Sequence, residues 1–208
     1  MIYMTKITLD MKKPDTRKGL ANPHIFHAVI ENACGRTDSR KLWRLEQGEY
    51  GGHILLLSDT VPDKELVSKI AAEDAIQTAE YRILDRIECG ETYRFRLTAA
   101  PMVSKLYRKD EKRGFKRLCS TQEEQCEWIE KRQDSMGVRL LSYTVSKAKR
   151  TMVSKELSDG RINKDTYIAV QYDGAFRVTD AEVLKKVLID GVGHKKAFGE
   201  GMLTIARL

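Results

Sequence analysis

Two histidines three residues apart are the residues best suited to chemistry, in the run Leu20-Ala-Asn-Pro-His24-Ile-Phe-His27. Asn22-Pro23 is a helix start, with Asn as cap and Pro at the first helical position. Residues three apart on a helix share a face, so His24 and His27 point into one cleft near the helix N-terminus. Imidazole is the natural proton-transfer group near neutral pH. The spacing also suits a pair of metal ligands, but no third ligand is evident. Either histidine taken alone is equally a surface or packing residue. His53, in a strand, reads as structural.

A second candidate is the segment from Gly191 to Gly201, with glycines at 191, 193, 199 and 201 around His194, Lys195 and Lys196. Glycines let a main chain approach a ligand closely, successive N–H groups cradle an anion, and lysines add charge. A Walker phosphate loop is excluded because no Gly-Lys-Ser/Thr occurs. A dinucleotide fingerprint is excluded because Lys stands at 196, where that motif needs Gly. A helix-hairpin-helix motif of DNA-binding proteins fits Gly191-Val-Gly-x-x-x-Ala197 but requires a second helix, whereas Met202-Leu-Thr-Ile205 reads as a strand. A plain helix-to-strand turn is the bland alternative. If the loop holds RNA, valine at Gly193 or Gly199 should damage binding and leave the fold intact, since the loop is expected to lie outside the core.

Basic residues gather in two further places. Ser104–Arg117 carries seven Lys/Arg (Lys105, Arg108, Lys109, Lys112, Arg113, Lys116, Arg117) against two acids, with Tyr107 and Phe115 interleaved. Lys147, Lys149, Arg150 and Lys155 form a second stretch. Such runs are often merely solvated, but interleaved aromatics point towards nucleic acid.

The elements that must position these residues follow from patterning. Ile2–Leu9 alternates as a strand, and the polar stretch Asp10–Lys18 leads to a helix from Pro23 to Cys34 that Gly35 ends. Strands are expected at Lys41–Glu46 and His53–Ser58, a helix from Pro62-Asp63 to about Ala75, and a strand over Gln77–Ile87. That is the β-α-β-β-α-β order of a ferredoxin-like domain. The order repeats. Thr92–Ala99 is a strand, Thr121-Gln-Glu-Glu124 a capping box for a helix to Met136, and Val138–Lys149 a strand. Tyr167–Val178 is strand-like with a turn at Asp173-Gly174, Thr179-Asp180 caps a helix to Asp190, and Met202–Arg207 closes the sheet. The expected class is therefore α+β, two tandem ferredoxin-like (RNA-recognition-motif-like) domains over residues 1–88 and 92–208.

Composition is compatible with an anionic partner: 208 residues carry 37 Lys+Arg against 30 Asp+Glu, a net charge of +7. The N-terminus lacks the apolar run of a secretory signal, and no stretch is long enough for a membrane span. Cysteines 34, 89, 119 and 126 form no C-x-x-C pair and have no histidine at zinc spacing, so they read as reduced thiols of a cytoplasmic protein.

These residues together resemble one family. Leu20-Ala-Asn-Pro-x-x-x-His27, Leu42-Trp-Arg-Leu45, Tyr93-Arg-Phe-Arg-Leu97, Phe176-x-Val-Thr-Asp180 and Gly191-Val-Gly-x-x-Lys-Ala-Phe-Gly-x-Gly201 look like the CRISPR repeat-processing endoribonucleases of the type I-E Cascade system, the CasE family. The resemblance spans essentially the whole chain. It implies two ferredoxin-like domains and metal-independent cleavage of CRISPR precursor RNA at the base of the repeat hairpin, with no cofactor. A ribose 2′-hydroxyl would attack the adjacent phosphate, leaving a 2′,3′-cyclic phosphate and a 5′-hydroxyl. The mature guide hairpin would stay bound beside other Cascade subunits. The family's essential histidine falls on His27. Its frequent Tyr three residues earlier is replaced by His24, which would support charge on the phosphorane or share the acid–base work. The glycine-rich loop would hold RNA backbone, and one or more of Lys147, Lys149, Arg150 and Lys155 would supply positive charge. A non-catalytic RNA-binding subunit of the same fold and the helix-hairpin-helix DNA binder are the alternatives.

Overall fold

A computed structural model describes the chain except residues 36, 38, 49, 50, 106–114 and 147. Strand β1 (Tyr3–Leu9) turns Thr5, Ile7 and Leu9 inward and Lys6 and Thr8 outward. It forms the centre of a four-stranded antiparallel sheet with β2 (Leu42–Gly48), β3 (Gly51–Ser58) and β4 (Ala71–Glu80), in the order β2-β3-β1-β4. Ile7 stands opposite Ile54 on one side and Ile76 on the other. Helix α2 (His24–Cys34) covers this sheet with Phe26, Val29, Ile30 and Ala33, and the Phe26 ring meets Trp43 edge-on.

The second half repeats the arrangement. Strands β5 (Thr92–Ala99), β8 (Val138–Val145), β10 (Ile162–Val178) and β11 (Leu203–Arg207) lie in the order β11-β5-β10-β8. Helices α4 (Gln122–Glu130), α5 (Gln133–Met136) and α6 (Ala181–Asp190) bury Trp128, Ile129, Leu184 and Leu188 against it. The Thr121–Glu124 capping box and the Asp180 cap both form as expected. Both halves therefore carry the ferredoxin-like strand order.

The halves are joined tightly. Arg44 of β2 is 3 % exposed, and its guanidinium donates to Glu46 (2.7 and 2.9 Å), to the carbonyls of Arg96 (3.2 Å) and Met202 (3.1 Å), and to Thr204 Oγ1 (3.0 Å). Glu46 also pairs with Arg96, which pairs in turn with Asp173. Leu42 and Leu57 of the first sheet close over Met202 of the second half.

Four local expectations give way. The polar segment after β1 contains a helix, α1 (Pro14–Ala21), whose Thr16 hydroxyl donates to the Ile70 carbonyl. Helix α3 stops at Lys64–Val67 rather than Ala75, despite the Asp63 cap, because Ala71 and Ile76 pair with Leu9 and Ile7 of β1. Long-range pairing thus overrides the helix propensity of Ala71–Ala75, and the predicted Gln77–Ile87 strand ends at Glu80. The expected Val138–Lys149 strand ends at Val145, and Lys149 instead opens a separate strand, β9 (Lys149–Glu156), which pairs with the first half of β10. Finally, β10 runs through Asp173-Gly174 without a turn. Gly174 is there for close approach: a Cβ would lie 2.2 Å from the Ser142 carbonyl oxygen, next to a register shift.

Candidate active site

His24 and His27 open the first turn of α2, and their ring centroids lie 6.2 Å apart. The Phe198 ring stands steeply inclined to both, with centroids 6.5 and 6.3 Å away. Asn22 Oδ1 accepts from the His24 N–H at 3.3 Å. The same side chain reaches β9: its Nδ2 donates to Ser154 O (2.8 Å) and Oγ (3.1 Å), and its Oδ1 accepts from Ser154 N–H (3.3 Å). The next residue, Lys155, thereby faces α2 across a cleft of about 210 Å³ lined by both histidines, Lys155, Asn163, Asp165 and Phe198. Asn163 is the direct cross-strand partner of Lys155.

His27 is half-buried, and its burial lowers the imidazole pKa below the ordinary 6.5. Glu31, with Oε1 3.9 Å from Nδ1, opposes that shift, while the positive fields of His24, Lys155 and Lys41 reinforce it. Glu31 is shared, since the buried Lys41 ammonium lies 3.4 Å from its other oxygen. The result is an imidazole kept neutral near pH 7, next to a second imidazole and a lysine. Among the described residues, no group of three His, Cys, Asp or Glu is placed to hold a metal ion.

The family model for CRISPR associated protein matches residues 2–207. The chain belongs to that family. It is 27% identical to the CRISPR-associated endoribonuclease Cse3 of Thermus thermophilus over 218 residues, covering 99% of this chain and 100% of the relative. A solved structure of Cse3 bound to a 19-nucleotide RNA superimposes with a TM-score of 0.81 at 26% identity, covering 99% of each chain. Thermus thermophilus Cse3 bound to an RNA representing a pre-cleavage complex gives 0.79 at 26% identity, covering 99% of this chain and 98% of that one.

In this CRISPR-associated chain the glycine-rich loop has a packing role that its spacing does not reveal. Gly199 has φ +88°, and a Cβ there would lie 2.7 Å from the Trp43 ring; at Gly193 (φ +76°) a Cβ would lie 3.0 Å from Trp128. Both indoles are fully buried. The expectation that valine at these positions spares the fold is therefore overturned, because the loop is part of the core wall. The loop closes on itself through the Val192 N–H, which donates to the Gly201 carbonyl at 2.8 Å. Beyond Ala197 the chain makes a 3₁₀ turn (Lys196–Phe198) and then β11, so the helix-hairpin-helix alternative fails for want of its second helix.

The lysines of the loop have partners. Lys195 pairs with Asp165, and Lys196 Nζ donates to the Asp190 carbonyl at 2.7 Å. His194 Nδ1 lies 3.2 Å from Lys116 Nζ, which brings the hairpin of β6 (Met102–Lys105) and β7 (Phe115–Leu118) against the loop. Burial, then Lys116, lowers the His194 pKa. Arg117 is bound to Glu124 at 2.5 Å. Arg108, Lys109, Lys112, Arg113 and Lys147 lie outside the described residues, as does the side chain of Lys105. Lys149 and Arg150 line a second, larger cleft between the halves, which also contains Glu200.

Sequence reasoning singled out Asn22 only as a helix cap and missed Glu31, Lys41, Asn163 and Asp165. The last two carry no local signal, because residues 162–166 are mostly polar, 162–165 are all exposed, and the stretch becomes a strand only by pairing with β9.

Proposed function

We propose that this chain is a metal-independent endoribonuclease that cuts CRISPR precursor RNA at the base of the repeat hairpin. After cutting, it keeps the hairpin as a subunit of a Cascade surveillance complex. One observation carries the reading: His24, His27 and Lys155 converge on one small cleft in a chain that matches its family along nearly its whole length. Cse3, its relative, is named an endoribonuclease and has been solved with RNA bound.

RNA supplies its own nucleophile, so the protein has to position it, move protons and hold charge. Glu31 beside Nδ1 favours the tautomer with its proton on that nitrogen, leaving Nε2 of His27 free to accept. Nε2 takes the 2′-hydroxyl proton as the 2′-oxygen attacks phosphorus. The bond from phosphorus to the 5′-oxygen breaks, and His24 delivers a proton to that leaving oxygen. The products are a 2′,3′-cyclic phosphate and a 5′-hydroxyl. Lys155 faces the negative charge that builds on the phosphorane. Lys149, Arg150, Lys116 and the loop backbone offer charge and N–H groups to the hairpin, whose A-form stem is read by shape and backbone. The domains over 1–88 and 92–208 divide these roles, the first carrying the histidines and the second Lys155 and the loop.

The test is incubation with the organism's own repeat hairpin in EDTA. A single cut at the base of the stem is expected, with an upstream product whose 3′ end loses phosphate only after the cyclic ester is opened and a downstream product that begins with a 5′-hydroxyl. Intact RNA, or cutting only with an added divalent ion, would refute the reading.

A further inference from the structure

Lys41 is a buried lysine that the cleavage steps do not use. Its side chain is 3 % exposed. Lysine is seldom buried without a reason, because an apolar side chain of similar length fills such a space at lower cost. Lys41 stands one residue ahead of β2 and two before Trp43. Residues two apart on an extended chain share a face, and Trp43 packs on Phe26 of α2. The Lys41 side chain lies against the same helix, where its ammonium donates to Glu31 Oε2 at 3.4 Å. Asp59 also feels the Lys41 charge, but its Oδ1 accepts from the Thr37 hydroxyl at 3.3 Å. Among the described residues, Glu31 is the carboxylate within ion-pair reach of the ammonium.

Glu31 is 40 % exposed, so an unpaired carboxylate there would turn to water. His27 and Glu31 lie one turn apart on α2 and share a face of the helix. With Oε2 held by Lys41, the other oxygen is left 3.9 Å from His27 Nδ1. Lys41, Glu31 and His27 thus form a chain from a buried cation to the histidine cleft.

We infer that Lys41 is a positioning residue for RNA cleavage: by holding Glu31 in place it fixes the His27 tautomer that leaves Nε2 free. The inference rests on the endoribonuclease reading above. Lys41 does not line the cleft, so it acts through Glu31. Which imidazole nitrogen carries the proton is set by the partner of the other. The charged and titratable groups around His27 are His24 and Glu31 from its own helix, Lys155 from β9 and Lys41. Glu31 alone of these is an anion. Asp165, the other carboxylate of the cleft, is taken by Lys195.

The first measurement needs no RNA. Nitrogen NMR of the full chain with labelled histidine, at about pH 8, reports the tautomer of the neutral His27 ring, assigned by the signals lost in His27→Ala. Wild type should carry the proton on Nδ1. Lys41→Met should move it to Nε2, and Lys41→Arg, which keeps the cation, should leave it on Nδ1. Lys41→Gln, neutral and one bond shorter, should act as Met does and keeps the test open should the Met variant not fold. The second measurement is single-turnover cleavage. Loss of Lys41 should slow it by about tenfold or more with hairpin affinity retained, as expected when a reacting group loses its orientation. In the His27→Ala chain the same change should cost nothing further. A tautomer that stays the same without the Lys41 cation overturns the inference, as does an equal loss of rate with and without His27. Absence of any cut by wild type would refute the endoribonuclease reading, whereas a cut with an unmoved tautomer refutes this inference alone.

Discussion

Asn22 and Ser154, 132 residues apart, share three hydrogen bonds between an amide side chain and a strand residue. Through them the start of α2 is tied to β9, the strand that carries Lys155. Asn22→Ala should slow hairpin cleavage by about tenfold, mostly in kcat, because in the proposed mechanism Asn22 acts by positioning His24, His27 and Lys155 rather than by binding RNA. Single-turnover rates and hairpin affinity measured together decide the matter. A fall in affinity with an unchanged rate would make Asn22 a binding residue.

His27→Ala should cut the rate by about 10² or more with hairpin affinity nearly intact, since proton transfer acts in the transition state. The wild-type rate should climb with pH through an acid limb centred below 6.5, because burial favours the neutral imidazole that accepts the proton. Single-turnover rates between pH 4.5 and 8 test this. An acid limb centred above 6.5 would contradict the base role.

Lys195 and Lys196 illustrate what a sequence can and cannot display. Two lysines between Gly193 and Gly199 read as charge for an anion, and nothing in neighbouring residues displays that Lys195 pairs with Asp165 from a distant strand or Lys196 with the end of α6. Features written in neighbouring residues were legible: the capping box at Thr121–Glu124, the Asp180 cap, the alternation of β5, and both histidines on one helical turn. Features that depend on a distant partner were not. Helix α3 was cut short by the pairing of β4 with β1, β9 took its form from β10, and Lys155 was distinguished from Lys149 and Arg150 only by where β9 crosses α2.

Gly199→Val should destabilise the chain by about 3 kcal/mol, combining a strained positive φ with a Cβ driven into the Trp43 ring. At this chain length that is about 6–12 °C in Tm. Lys195→Ala should leave Tm much closer to wild type, as expected for loss of a single ion pair near the surface. Paired melts settle the comparison. Equal, small shifts would mean that the loop relaxes away from Trp43 at little cost.

Glu200 makes stability depend on pH in a direction unusual for a carboxylate. Its folded pKa is raised from 4.5 to about 8, so between these values the folded chain holds a proton that the unfolded chain has released. Stability then falls as pH rises through that window; the contribution is fully present below about 4.5 and gone above about 8. Glu200→Gln removes the titrating group and keeps its shape. The variant should therefore melt above wild type at pH 8.5 and lose that advantage towards pH 5, with a difference of at most a few kcal/mol, each worth about 2–4 °C. Other titrating groups are common to both proteins and cancel in the difference. A melting difference that stays constant from pH 5 to 8.5 would show that Glu200 keeps its charge in the folded chain, and its partner would then have to be sought in Lys149 or Arg44.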